Sequence, residues 1–175
     1  MNKSFILLTI FFFYAGFFIS GDQPDPKKRA VLEKLHWIVE RSDVPTVRKE
    51  FQKICGSNQF PSVVSGLKDG IYSGSTPEDD YGYRHEINFE MKGGQMISVD
   101  YDEIHRDGHS KRHDAEYGKQ MMKSGTSPAI AYPSYESQMR EKQDFNRIDG
   151  VTGATYSLYR FRLAVLYAIL NSGQL

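Results

Sequence analysis

The run Asp149-Gly150-Val151-Thr152-Gly153-Ala154-Thr155-Tyr156-Ser157 holds the residues of this chain best suited to chemistry. Its small residues let a ligand approach the backbone, Thr152, Thr155 and Ser157 offer hydroxyls, and the N–H groups of a helix opening here attract an anion. Physically this is a phosphate cradle. The same composition also suits an ordinary loop in which a Thr or Ser caps the helix. Two other phosphate loops do not fit: no Gly-Lys-Ser/Thr occurs in the chain, and no parallel strand precedes the run as a dinucleotide-binding turn requires.

The elements that must position this run are legible from periodicity. Immediately after it, about Ser157 to Leu170, Leu158, Phe161, Val165 and Ile169 share one helical face and Tyr159, Leu163, Leu166 and Leu170 another. A helix apolar on two faces belongs at the centre of a domain. Ahead of it the period is two: Asp69 to Gly74 predicts a short strand, Tyr83 to Met91 alternates through His85, Ile87 and Phe89, Lys92-Gly93-Gly94-Gln95 turns, and Met96 to Ile104 continues through Ile97, Val99 and Tyr101. That predicts a β-hairpin and so an antiparallel sheet. Helical spacing returns at about Ser110–Lys123 and Pro128–Lys142. Earlier, Lys27–Arg41 (Val31, Leu32, Leu35, Ile38, Val39) and Pro45–Cys55 (Val47, Phe51, Ile54) predict a helical hairpin, with Pro26 opening the first helix, Asp43 capping the second and Gly56 stopping it. No chemistry is evident in this hairpin, which reads as a packing or partner-contact element.

Other candidate groups carry less. His105, His109 and His113 are spaced by four, as ligands on one helical face would be, but Asp107-Gly108 interrupts that helix and His109/His113 lack a third ligand; they read as surface histidines, and no metal site is assigned. The acids Glu78-Asp79-Asp80 sit in a turn, and Asp100-Asp102-Glu103 have no matched His or nucleophile; both groups read as solvated charge. Cys55 is the one cysteine, which excludes an intrachain disulfide, c-type haem attachment and Cys-based iron–sulfur or zinc sites; it reads as a buried small apolar residue. No catalytic residue is assigned.

Asp149-Gly150-Val151-Thr152-Gly153-Ala154-Thr155 resembles the flavinylation motif of the FMN-binding domain family, Asp-x-x-(Ser/Thr)-Gly-Ala-Thr, and matches it at every defined position. The resemblance covers about residues 67 to 172: Asp69-Gly70-Ile71-Tyr72-Ser73-Gly74 looks like the family's opening strand, Lys92 to Ile97 like its hairpin turn, and Ser134 to Met139 through Gln143-Asp144 like its helix before the motif. The family includes subunits of sodium-pumping NADH:quinone oxidoreductases and Rnf complexes and lipoproteins of extracellular electron transfer; this chain is most similar to the free-standing exported flavoproteins. The resemblance implies FMN carried covalently on Thr155 as a phosphoester. It also implies an FAD:protein FMN transferase of the ApbE family as partner, using magnesium to cleave FAD, and extracytoplasmic or membrane redox partners. Asp149, Gly150, Thr152, Gly153, Ala154, Tyr156 and Ser157 would surround the cofactor or be read by the transferase. Tyr132 and Tyr156 lie nearest the relevant segments as flavin-stacking candidates, with a core or rim role the alternative.

Before all this stands Met1 to Gly21: one cation, Lys3, an uncharged apolar run from Phe5 to Ile19, then Ser20-Gly21. This is the pattern of an export signal, with an uncleaved anchor as the alternative; fifteen helical residues reach about 22 Å, short of the roughly 30 Å hydrocarbon core. No Cys follows the run, which argues against a lipid-anchored bacterial lipoprotein. The chain of 175 residues balances 22 Lys+Arg with 22 Asp+Glu, unlike a nucleic-acid binder, and its 39% apolar and 25% charged residues are ordinary for a globular domain.

The expectation is therefore an α+β chain: signal or anchor at 1–21, linker and helical hairpin at 22–66, and an FMN-binding domain with an antiparallel sheet and packed helices at 67–175. It would be an exported, periplasmic or extracytoplasmic electron carrier rather than a stand-alone enzyme. A non-redox module that binds a phosphate-bearing ligand reversibly, or a flavin-dependent reductase of a small substrate, is the alternative.

Overall fold

The computed structural model describes residues 24–56, 60, 62 and 64–174. The segment read as a signal or anchor lies outside them, as do 57–59. No helix among the described residues is long and apolar enough to cross a membrane.

Helices α1 (Pro26–Arg41) and α2 (Val44–Cys55) open as the sequence predicts. Asp25 accepts from the Lys27 N–H (2.8 Å) and Asp43 from the Thr46 N–H (2.9 Å), each answering a donor that the first helical turn leaves unpaired. Strands β1 (Gly70–Ser75), β2 (Tyr83–Lys92) and β3 (Gln95–His105) form one antiparallel sheet in the order β1-β2-β3. Helices α3 (Ala115–Met121), α4 (Pro128–Lys142) and α5 (Thr155–Asn171) follow, with single 3-10 turns at Met122–Ser124 and Phe145–Arg147. The fold is α+β, with an N-terminal helical hairpin.

Helix α5 lies across the inner face of β1 and β2 and is packed from its other sides by α1, α2 and α4, so every residue from Leu158 to Leu170 except Arg160 is buried. Close approach of β1 to α5 depends on Gly74: a Cβ there would strike the backbone of Ala164 and Ala168. At the other edge of the sheet, α4 supplies the pairing that a fourth strand would. Glu136 accepts from the Tyr101 N–H (2.8 Å), and Gln143 accepts from the Met96 N–H (2.7 Å) while donating to the Met96 carbonyl (3.1 Å).

Three expectations are adjusted. The pattern from Ser110 to Lys123 shortens to α3, because Lys111 N–H returns to the Glu103 carbonyl (2.9 Å) and Ser110 bonds Asp102, tying 110–112 to β3 until Asp114 caps the helix. Ile97 faces out, 45% exposed, because the register slips between Glu90 and Met91 and moves Met96 inward. The hairpin is part of the domain: Leu32, Leu35, Val39, Val47 and Phe51 belong to the same core as the sheet and α5.

Candidate functional site

A turn closed by the Ala154 N–H on the Val151 carbonyl (2.9 Å) brings the chain to the start of α5. Ala154 has no side chain able to cap the helix, and the first intrahelical bond runs from the Leu158 N–H to the Ala154 carbonyl (3.2 Å). The N–H groups of Thr155, Tyr156 and Ser157 therefore sit ahead of the hydrogen-bonded ladder, at the positive end of a 17-residue helix. The Tyr135 hydroxyl holds this turn from beneath by donating to the Ala154 carbonyl (2.8 Å); burial pushes its pKa up to about 12, so it remains a donor.

The loop before the turn is held from both sides. Gln138 of α4 accepts from the Asp149 N–H (2.8 Å) and donates to the Asp149 carbonyl (3.2 Å). Lys142, one turn on, donates to the Arg147 carbonyl (2.9 Å) and the Asp149 carboxylate (2.7 Å), and this hydrogen bond keeps Asp149 below the usual carboxylate range. From α5, the buried Arg162 guanidinium donates to the carbonyls of Asn146 (3.2 Å) and Ile148 (3.0 Å). Gly153 has φ +84°, and a Cβ there would run into the Ser124 carbonyl. The backbone of the motif is fitted to its neighbours rather than left loose.

Between this loop and α2 lies a cleft of about 620 Å³, within the size range of small-molecule sites. Asp149, Gly150, Thr152, Gly153 and Thr155 line it together with Arg48, Phe51 and Gln52 of α2 and Leu158, Tyr159 and Arg162 of α5. The Arg48 Nε donates to the Tyr159 hydroxyl (3.4 Å), and the Phe51 and Tyr159 rings meet at 5.3 Å. Two guanidiniums and a helix N-terminus face the cleft, and the one carboxylate among the described residues that line it, Asp149, is engaged by Lys142. Such a cleft favours an anion.

Not every residue picked out from the sequence meets here. Ala154 is buried in the turn. Tyr156, 40% exposed, spans to the α1–α2 connection, where its hydroxyl donates to the Ser42 carbonyl (3.1 Å), and neither it nor Ser157 lines the cleft. Tyr132, the other stacking candidate, is buried edge-on against Tyr101 at 4.9 Å, with burial raising its pKa. The aromatic wall of the cleft is Phe51 and Tyr159 instead. Sequence reasoning missed Arg48, Phe51, Gln52, Tyr159 and Arg162. A guanidinium inside an apolar helix is a signal for Arg162, whereas nothing in the spacing of Arg48 and Gln52 separates them from any amphipathic turn. His105 and His109 are drawn to Asp107 and Asp114 (2.9 Å each) rather than to a shared ligand.

A second concentration of charge flanks α5 through Arg160, roughly 200° around the helix from Arg162. Arg160 meets Glu40 of α1 (Nε–Oε1 3.0 Å, Nη2–Oε2 2.6 Å), Glu103 of β3 (3.4 Å) and Asp79 (4.0 Å), and Lys111 meets Glu103 at 2.5 Å. For Glu103 burial raises the pKa, but the cations beside it, Arg160 foremost and then Lys111, outweigh it and hold the carboxyl well below the ordinary range. Glu40 is governed the same way, with burial outweighed by its surroundings, the bidentate Arg160 guanidinium among them, to leave it at about 2. Glu103, read from sequence as solvated, is fully buried.

No protein-family model matches the chain. Among individual proteins, the 15 kDa lipoprotein of Treponema pallidum (strain Nichols) is 32% identical over 110 residues, which span 62% of this chain and 76% of that protein. The chain belongs to that lipoprotein's family. The crystal structure of the CPE2226 protein from Clostridium perfringens is also similar, with 34% identity and a TM-score of 0.56 over 62% of this chain and 92% of the other. Within the family this chain places its one cysteine, Cys55, in α2, packed against the core, where burial raises the thiol pKa.

Proposed function

We propose that this chain is an exported flavoprotein that carries FMN covalently on Thr155 and passes electrons in an extracytoplasmic redox chain. One observation carries the reading. Thr155, the acceptor residue that the motif implies, stands at the uncapped first turn of α5 and on the wall of a cationic cleft of about 620 Å³.

The residues present suit the group. A phosphate on the Thr155 hydroxyl would lie beside the unladdered N–H groups of α5, in a cleft that Thr152 and, from α2, Arg48 also line. Phe51 and Tyr159 supply apolar surface for a ring system. When bound, the flavin ring system supplies the electron transfer, and the protein contributes location and electrostatics. Gln138, Lys142 and Arg162 keep the loop backbone in place, which a transferase of the ApbE family needs in order to read Asp149 through Thr155 in register. A neutral Thr hydroxyl is a weak nucleophile, so attachment is assigned to that external, magnesium-using enzyme. The apolar run from Phe5 to Ile19 supports export, and the lipoprotein relative agrees with a place outside the cytoplasm.

The test is intact mass. Chain made with its transferase in an exporting host should exceed the processed polypeptide by one FMN less one water, and flavin fluorescence should stay with the band on a denaturing gel. In Thr155→Val, which keeps the β-branched shape and removes the hydroxyl, both signals should vanish while the fold survives, because no side chain caps α5 in the first place. FMN mass retained in Thr155→Val but lost in Thr152→Val would withdraw the role of Thr155. The reversible phosphate-binding alternative predicts flavin or ligand that leaves on denaturation.

A further inference from the structure

We infer that His36, Glu40 and His85 form a binding site for one divalent d-block cation, with zinc the ion that the ligand chemistry suits. This goes beyond the flavin reading and does not depend on it.

His36 and Glu40 are four residues apart on α1 and so share a face, and His85 meets them from β2. One ligand atom from each lies within 4.8 Å of the other two. His85 Nε2 and Glu40 Oε1 are 3.4 Å apart, close enough for an ion pair yet too poorly aligned for a hydrogen bond. That separation is about the edge that two ligands roughly 2.1 Å from one tetrahedral ion would make.

The imidazoles themselves are the second observation. His85 is fully buried and, among the described residues, neither of its ring nitrogens has a hydrogen-bond partner; His36 is 7% exposed and its Nδ1 has none among them. Buried polar atoms are ordinarily satisfied, and an orphan in a native fold asks for a cause. An imidazolium would need two acceptors and His85 has none aligned, whereas a neutral ring offers a lone pair to a cation. Charge points the same way. With neutral histidines, the carboxylates of Glu40, Asp79 and Glu103 outnumber the cations Arg160 and Lys111 by one. Arg160, which donates to both Glu40 oxygens, fixes the carboxylate as an outer partner of a ligand does. Two nitrogens and one carboxylate leave a coordination position open for water.

Zinc titrated into the full, metal-stripped, unflavinylated chain against a chromophoric chelator should bind one ion per chain with micromolar or tighter affinity. His36→Gln and His85→Gln should each weaken it by at least about tenfold, and His109→Gln, on the surface with Asp114, should leave it unchanged. Cobalt in place of zinc should give the intense visible bands of a four-coordinate ion, and these should be absent in His85→Gln. Circular dichroism checks that the variants fold. Should a variant not fold, the zinc-dependent rise in melting midpoint and the cobalt spectrum, compared between wild type and His109→Gln, decide the matter. Absence of stoichiometric zinc on the wild type, equal binding in His36→Gln and His85→Gln, or loss in His109→Gln would each overturn the assignment.

Discussion

Replacing Gly153 by Ala tests whether the motif loop is held in place by its neighbours. The residue has φ +84°, a region in which an L side chain costs about 1–2 kcal/mol. The added Cβ also meets a backbone atom, the Ser124 carbonyl, which cannot rotate aside, and overpacking of that kind costs about 1–3 kcal/mol. Together the two terms come to about 2–5 kcal/mol, a large share of the about 5–15 kcal/mol typical of a domain. Gly94 is the natural comparison. It has φ +74° in the β2–β3 turn with nothing within 4 Å of its Cβ, so Gly94→Ala incurs only the backbone term. Urea unfolding of the unflavinylated chains should rank wild type above Gly94→Ala above Gly153→Ala, with thermal midpoints falling by about 2–4 °C per kcal/mol. On the proposed flavin reading, flavinylation yield should fall in Gly153→Ala alone, because the clash would push the loop out of register with the transferase. Equal destabilisation by the two substitutions would refute the reasoning, since the Ser124 contact would then contribute nothing.

Three further outcomes follow from the same geometry. Tyr135→Phe removes the buried donor to the Ala154 carbonyl, which keeps its bond from the Leu158 N–H, and should cost about 0.5–1.5 kcal/mol in urea unfolding; on the proposed flavin reading, flavinylation should also fall because the turn before Thr155 loses support. Arg162→Met leaves the Asn146 and Ile148 carbonyls without their donor and should loosen the loop; faster amide hydrogen exchange across 146–153, with the sheet protected as in wild type, is the readout. Glu103 has a folded pKa depressed below its ordinary 4.5, so the stability it contributes is complete above that value and is lost as pH falls toward the folded one. Glu103→Gln should therefore be less stable than wild type at pH 7, measured with chelator present, and lose less on acidification from about pH 4.5 to 2.

Much of the fold is legible in the amino-acid sequence alone. Strict alternation from Tyr83 to Met91, a Gly-Gly turn and a helix apolar on two faces leave few ways to bury the side chains, and an antiparallel sheet under a central helix is the simplest. The second helix's cap is equally local: Asp43 acts on an N–H group three residues on, so its signal is contained in the window that is read. Where local pattern fails, a distant partner decides. The backbone at 110–112 gives up helix for β3, and one bulge at Glu90/Met91 turns Ile97 outward.

The motif loop can be found from Asp149 to Thr155 because its small residues and hydroxyls are contiguous. Its cleft cannot. Arg48 is 107 residues from Thr155 in sequence and lines the same cleft only because α2 packs beside α5. Tyr156 shows the converse, since adjacency in sequence places it beside Thr155 while helix geometry carries its hydroxyl to Ser42. The chain by itself determined most of the elements and where the candidate loop and its helix start lie, because those depend on interactions a few residues long. Only the tertiary structure decided what faces that helix start, and which buried imidazoles and carboxylates α1 and β2 bring together, because such contacts are set by how elements pack.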